Sequence, residues 1–341
     1  MKILITGGCG FVGSNIAIYL KNKLKGAKIS SLDNLTRKGS QINKERLKNL
    51  KIKNYNIDII KFNKIKTLPK FNLIIDCCAE PAIEASRKNP DKVFNTNLIG
   101  TFNILKKCIK DKSNLIFLSS SRVYSILKLR KYIKKNNFSK PIKSKKQIDE
   151  EFETSEASSL YGFTKIASEK LIKEFFYTTN LKYIINRFGV IAGPWQFGKQ
   201  DQGFVPLWVA RHFLKKKLSY IGFSAKGHQV RDVLHIEDVC KIISIQIKKF
   251  KKINNMTFNV GGGINNLISL KNLTIKCEKL TKNKIQIEKI YRTSNYDIPY
   301  FVTNNSKIKR IYKWKPVKNL NDILKDIYLW LKKNKKVRNY F

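Results

Sequence analysis

The segment Thr6-Gly-Gly-Cys-Gly-Phe-Val-Gly13 limits what this chain can fold into more than any other. It follows an apolar run, Lys2–Thr6, and precedes an amphipathic stretch that predicts a helix from Ser14 to about Lys23. Its glycines are spaced either as 7, 10 and 13 or as 8, 10 and 13. Between a strand and a helix, such glycines permit a tight turn, close approach of backbone to a pyrophosphate, and close helix packing. The helix N-terminus adds N–H donors and partial positive charge. Asp33 stands twenty residues past Gly13, at the end of the second predicted strand. A carboxylate there accepts hydrogen bonds from adenosine ribose hydroxyls and repels a 2′-phosphate. The pattern predicts a dinucleotide cradle of Gly7, Gly10, Phe11, Val12, Gly13, Asp33 and the adjacent Asn34, with NAD favoured. Arg37 and Lys38 keep NADP as the alternative. Asp58 is placed to reach the adenine amine, its other reading being a solvated loop aspartate.

Short apolar runs alternate with helix-length amphipathic segments through the first half. Lys2–Thr6, Lys28–Leu32, Asn72–Cys77, Asn114–Leu118 and Tyr183–Val190 read as buried strands. The fold class expected is α/β, a Rossmann-type doubly wound parallel sheet with a smaller C-terminal substrate-binding lobe. Residues 1–190 are assigned to the dinucleotide-binding domain and 191–341 mainly to the lobe, with some chain returning to the sheet. The Lys-dense insertion Ser125–Lys146 reads as a solvated loop, either a flap over the sheet edge or a tolerated insertion.

With 42% hydrophobic residues the chain can bury a sizeable core. No run of eighteen apolar residues and no signal-peptide pattern is present, so a cytoplasmic protein without a membrane span is expected. Six cysteines, at 9, 77, 78, 108, 240 and 277, show no metal-binding spacing and read as reduced thiols; no metal is expected. A formal charge of +45 admits a polyanion or RNA partner. The excess lysines are spread along the whole chain beside Ile and Asn, which points first to biased composition and makes nucleic acid the weaker reading.

Tyr161-Gly-Phe-Thr-Lys165 puts a phenol and an ammonium four residues apart, on one face of a helix running to about Tyr177. A tyrosine ordinarily titrates near pH 10, so a neighbouring positive charge is what makes a phenol serve as a base at neutral pH. The strand over 115–118 ends in Ser119-Ser-Ser121, at the edge where a parallel sheet binds its ligands. A hydroxyl there can hold the oxygen that the tyrosine deprotonates.

Thr6–Gly13, Asp33, Asn97, Ser119–Tyr124, Tyr161 with Lys165, and Arg231–His235 together resemble the extended short-chain dehydrogenase/reductases, in the NAD-dependent nucleotide-sugar epimerase and dehydratase group. The likeness covers almost the whole chain. Asp33–Gly39, Ser121–Ser125, Gly193–Gly198, Asp201–Gly203 and Gly227–His235 are similar to the CDP-paratose 2-epimerases. The resemblance implies Ser120, Tyr161 and Lys165 as catalytic residues, and Ala79 and Asn97 as cofactor contacts. It implies Ser120, Ser121, Arg122, Gly189, Gln202, Arg231 and Arg292 as substrate contacts. Dehydratases of the group carry Asp and Glu after the catalytic hydroxyl; here Ser121 and Arg122 follow Ser120, which disfavours dehydration. The chain departs from the group at Asp76-Cys77-Cys78-Ala79, where many relatives carry His-x-Ala-Ala. What the resemblance implies is epimerisation of a nucleotide sugar, CDP-linked by preference, with a UDP-sugar 4-epimerase as the nearest rival. It also implies a homodimer or homotetramer through helices at about 92–111 and 158–177.

Overall fold

The computed structural model describes residues 1–81, 88–131, 142, 144–156, 158–199 and 202–341. They form two compact units: Met1–Val123, Ser159–Phe188 and Val239–Phe258 in the first, and Tyr124–Ser158, Gly189–Asp238 and Asn259–Phe341 in the second. The sequence placed the main boundary near 190, with some later chain returning to the sheet. The chain instead leaves the first unit after Val123 and returns to it twice, because that unit's sheet draws strands from both returning segments.

In the first unit, strands β1 (Lys2–Thr6), β2 (Lys28–Leu32), β3 (Lys53–Tyr55), β4 (Leu73–Asp76), β5 (Asn114–Ser120) and β6 (Tyr183–Phe188) run in the order β6-β5-β4-β1-β2-β3. All five neighbouring pairs are parallel. A further strand, Met256–Val260, extends the sheet beyond β6. This is the doubly wound order whose reversal between β1 and β4 opens a ligand crevice at the strands' C-terminal ends. The principal helices are α1 (Phe11–Lys23), α2 (Ser40–Asn49), α3 (Gly100–Asp111) and α4 (Leu160–Tyr177). Leu4, Ile74, Leu115, Phe117 and Ile185 from the strands pack with Ile104, Leu105, Ile172 and Phe176 from α3 and α4 into a buried core.

Three differences from the sequence reading have physical causes. Helix α1 begins at Phe11 rather than Ser14, because Gly10 is its N-cap and its carbonyl already accepts from Ser14 N–H at 3.1 Å. The apolar run 183–190 divides after Phe188, and Val190–Ala192 pairs in parallel with Val230–His235 of the second unit. Within the insertion expected as a loop, Ile126–Lys131 is helical: Ser125 Oγ accepts from Lys128 N–H at 3.2 Å and Ile126 and Leu129 are buried. Residues 132–141 and 143 of that insertion lie outside the described residues.

The second unit holds Val230–His235 between Leu267–Ser269 and Tyr300–Phe301, and pairs Leu218–Ile221 with Ile287–Ile290. Helices Phe204–Phe213, Leu270–Thr281 and Leu320–Lys333 pack together beside them. The last opens with a capping box, Asn319 and Asp322 each accepting from the other's backbone N–H. No disulfide joins any of the six cysteines. No helix among the described residues is long and apolar enough to cross a membrane.

Candidate active site

The glycine-rich turn has the shape of an anion cradle. Gly7 sits at φ +59°, a left-handed conformation that glycine adopts without strain, and its carbonyl accepts from Gly10 N–H at 2.9 Å. The first N–H groups of α1, at Phe11, Val12 and Gly13, point out of the helix end without intrahelical acceptors. A Cβ on Gly13 would lie 2.3 Å from the Gly7 carbonyl oxygen, and one on Gly7 would lie 3.0 Å from Cys78 Cα. The cradle therefore exists only with glycine at these places, and it fits the pyrophosphate of NAD. Gly13→Ala is expected to yield protein with little bound NAD and a stability loss of about 1–3 kcal/mol from overpacking. Coenzyme content after purification and a denaturant midpoint check this; full NAD content in the variant would contradict it.

At the end of β2, Asp33 Oδ2 accepts from Cys9 N–H at 3.0 Å and Oδ1 from Leu35 N–H at 2.8 Å. Burial raises the Asp33 pKa, and these N–H donors work against that rise. Asn34 Nδ2 donates to Asp58 Oδ2 at 2.8 Å, which ties these two predicted cofactor residues together. Arg37, the residue that kept NADP open, has its guanidinium 3.7 Å from Glu80, which also pairs with Lys92 at 3.0 Å. Ala79 lies just before Glu80 in the half-buried segment after β4.

At the end of β5 the serines separate by role. Ser119 Oγ donates to Glu169 Oε1 at 2.5 Å, in a buried cluster where Glu169 also binds Arg187 through Nε at 3.1 Å and Nη2 at 2.8 Å. Ser120 stands half-buried, its Oγ accepting from Arg122 N–H at 3.2 Å, at the start of the turn Ser121–Val123. Helix α4 packs on that turn, and Gly162 N–H in its first turn donates to Ser159 Oγ at 3.1 Å. The α4 residues Tyr161 and Lys165 are both buried, at 8% and 2% exposure. Lys165 Nζ donates to the Leu118 carbonyl at 2.9 Å and lies 4.5 Å from the Phe117 ring centroid. The aliphatic stem is thereby fixed between α4 and the last residues of β5.

Asn97 is fully buried and both ends of its amide are engaged by protein. Oδ1 accepts from Glu80 N–H at 2.8 Å; Nδ2 donates to the Glu80 carbonyl at 3.2 Å and to Thr164 Oγ1 at 3.1 Å. Through these bonds Asn97, implied by the resemblance as a cofactor contact, clamps the segment after β4 to α4.

The remaining predicted substrate contacts lie in the second unit. Gly189 N–H donates to the Val260 carbonyl at 3.0 Å, and Gln202 bridges Lys199. Arg231 donates from Nη1 to the Val230 carbonyl and from Nη2 to the Ile298 carbonyl, both at 2.7 Å, so its fork is held by backbone. Arg292 is exposed beyond the strand Ile287–Ile290. Arg130 instead grips the neighbouring loop, donating to the carbonyls of Ser294 at 2.8 Å and Asp297 at 3.0 Å. His235 is buried, with Nδ1 accepting from Glu237 N–H at 3.1 Å; burial pushes its pKa down. Sequence reasoning passed over Glu169 and Arg187. Glu169 was findable, since it lies one further helical turn beyond Lys165.

The pattern of the NAD dependent epimerase/dehydratase family matches residues 3–261. A CDP-paratose 2-epimerase of Salmonella typhi is 30% identical over 97% of this chain and 99% of that protein. A UDP-glucose 4-epimerase of Mycoplasma genitalium is 24% identical over 95% and 94%. Among solved structures, UDP-glucuronic acid 4-epimerase from Bacillus cereus, in complex with UDP-glucuronic acid and NAD, superposes with a TM-score of 0.82 at 22% identity, covering 98% of this chain and 99% of that one.

Proposed function

The chain belongs to the NAD dependent epimerase/dehydratase family, and from that premise we propose that it epimerises a nucleotide sugar, converting CDP-paratose to CDP-tyvelose at C2. The observation that carries the choice of epimerase over dehydratase is the Ser121-Arg122 pair directly after Ser120, where a dehydratase needs an acid and a base. The 30% identity to a CDP-paratose 2-epimerase over nearly the full length of both chains supports the substrate.

Tyr161 takes the proton from the sugar's C2 hydroxyl while Ser120 holds that oxygen. Lys165, fixed by the Leu118 carbonyl and the Phe117 ring, favours the phenolate by its charge and binds the nicotinamide ribose. NAD held in the cradle would supply a hydride acceptor and donor for C2, which allows the carbon to be oxidised and then re-reduced from its other face. Tyr161 then gives its proton back to the oxygen. The reaction has no net redox change, so the coenzyme stays with the protein. In the cradle, Gly7, Gly10 and the N-terminus of α1 hold its pyrophosphate, and Asp33 its adenosine ribose. Arg231 is assigned to the sugar nucleotide's phosphates, a task suited to a planar fork already oriented by two carbonyls. A homodimer through α3 and α4 follows from the same resemblance and is supported by the exposed Ile109 and Phe163 on these helices.

CDP is expected to raise the melting temperature more than UDP, since a ligand at about 100 times its Kd stabilises by ~2.7 kcal/mol. Incubation with CDP-paratose and with UDP-glucose, followed by NMR of the C2 and C4 configurations, completes the test. Conversion of UDP-glucose and of no CDP-sugar would reject the substrate named here in favour of C4 epimerisation.

A further inference from the structure

The Lys-dense insertion Ser125–Lys146, which the sequence left open between a flap and a tolerated addition, is fastened at both ends to one segment of the second unit, residues 291–301. At the near end Arg130 spans a turn of that segment. Asp297 N–H donates to the Ser294 carbonyl at 3.0 Å, which closes a β-turn. The Arg130 guanidinium bridges the two ends of the turn, Nη2 donating to the Ser294 carbonyl at 2.8 Å and Nε to the Asp297 carbonyl at 3.0 Å. At the far end, the Tyr300 hydroxyl lies 2.7 Å from the Lys146 carbonyl and 3.1 Å from that of Ser144, and Ile142 packs against Val230, Tyr300 and Val302.

The same segment holds Arg231. The Ile298 carbonyl, one residue past the turn, accepts from Arg231 Nη2 at 2.7 Å. The Pro299 carbonyl accepts from Val230 N–H at 2.9 Å, and Tyr300 and Phe301 then run in register with Val230 and Arg231. Arg130 and Arg231 thus grip consecutive carbonyls, those of Asp297 and Ile298. The other bond of Arg231, from Nη1, goes to the carbonyl of its own neighbour Val230, so the bond to Ile298 is the one that sets the fork against the rest of the unit. The segment is also pinned before the turn. Thr293 Oγ1 accepts from Phe223 N–H at 2.9 Å, where Phe223, Ser224 and Ala225 have φ values of +49°, +60° and +50°. Successive left-handed residues other than glycine are costly and persist only where their surroundings over-determine them.

We propose that Arg130 is a positioning residue for the diphosphate of the nucleotide sugar: by bridging the Ser294–Asp297 turn it sets the Ile298 carbonyl, and through that carbonyl the direction in which Arg231 presents its guanidinium. This rests on the reading of Arg231 as the residue on the phosphates. A planar fork is needed for the task, since the ammonium of a lysine is a point charge on a flexible stem and does not fix two carbonyls in one geometry. The start of the insertion is on this account part of the substrate-binding lobe rather than a tolerated addition.

The test is a double-mutant cycle on the NAD-bound protein, with Kd measured by calorimetry for CDP and for UDP and read for the tighter of the two. Arg130→Lys, which keeps the charge, is expected to weaken the diphosphate about tenfold and to raise KM for the sugar nucleotide in step, with kcat and NAD content unchanged. Arg231→Met is expected to weaken it at least as much. Adding Arg130→Lys to Arg231→Met is expected to weaken it no further, because the fork that Arg130 positions is then gone. Arg130→Met takes the same place in the cycle if Arg130→Lys does not fold. Affinity unchanged in a folded Arg130 variant, or losses that add in the double variant, would overturn the proposal. Wild-type affinity in Arg231→Met would instead defeat the reading of Arg231 on the phosphates, so the two failures are distinct.

Discussion

Tyr161→Phe is expected to lower epimerase turnover by about 10²–10⁴-fold, the usual contribution of a positioned acid–base group, while NAD content and melting temperature stay at the wild-type level. The substitution deletes one oxygen from a side chain only 8% exposed and leaves its ring in place. Helix α4 is anchored by groups the change does not touch: Ser159 at its N-cap, Thr164 to the Tyr161 carbonyl, and Lys165 to Leu118. A loss of stability of the same size as the loss of rate would mean that the hydroxyl is a packing element. Measuring kcat alongside coenzyme content separates the two.

The largest expected effect on stability falls on a pair that does no chemistry. Glu169→Gln leaves the Arg187 guanidinium buried without its carboxylate, and breaking a buried pair in this way costs about 3–5 kcal/mol. Both side chains are nearly inaccessible, and Glu169 binds Arg187 from Nε and Nη2 while also accepting from Ser119. The cluster ties α4 to β6 and to the residue before Ser120. Turnover is therefore expected to fall with stability. Replacing both charges together, as Glu169→Met with Arg187→Met, is expected to recover much of the loss, because the cost comes from stranding one ion. Urea midpoints at constant slope measure this. A loss below about 1 kcal/mol in Glu169→Gln, the worth of an exposed pair, would show that water reaches the site.

Much of the first unit was legible because its sequence signals are local. Lys2–Thr6 and Lys28–Leu32 appear with the bounds read from their apolar patterns, and Asp33 follows β2 directly. The glycine turn was legible for a stronger reason: at Gly7 and Gly13 any side chain would meet backbone, so the composition records the geometry. Strand β3 was missed since Lys53-Asn-Tyr55 has no apolar run; it is a strand through its register with Ser30–Leu32 and the bond from Ser31 Oγ to Asn54 at 2.7 Å. The two returns of the chain to the first unit are likewise decided by long-range strand pairing. Within the site, a triplet of serines cannot disclose that Ser119 is taken by a glutamate fifty residues away. Nor can a Gln-Val-Arg-Asp string disclose that Arg231 is held by the carbonyls of Val230 and Ile298.

The net charge of +45 admits a nucleic-acid partner. A nucleic-acid role predicts binding with a steep salt dependence that survives Tyr161→Phe, whereas turnover that vanishes in that variant belongs to the enzyme.

The claim at the centre is that one hydrogen leaves a sugar carbon and comes back to it. CDP-paratose deuterated at C2, incubated with the purified protein and no added coenzyme, puts that to a direct measurement by NMR. The account predicts CDP-tyvelose with the deuterium still at C2. Deuterium lost to water, or a product inverted at C4, would contradict it.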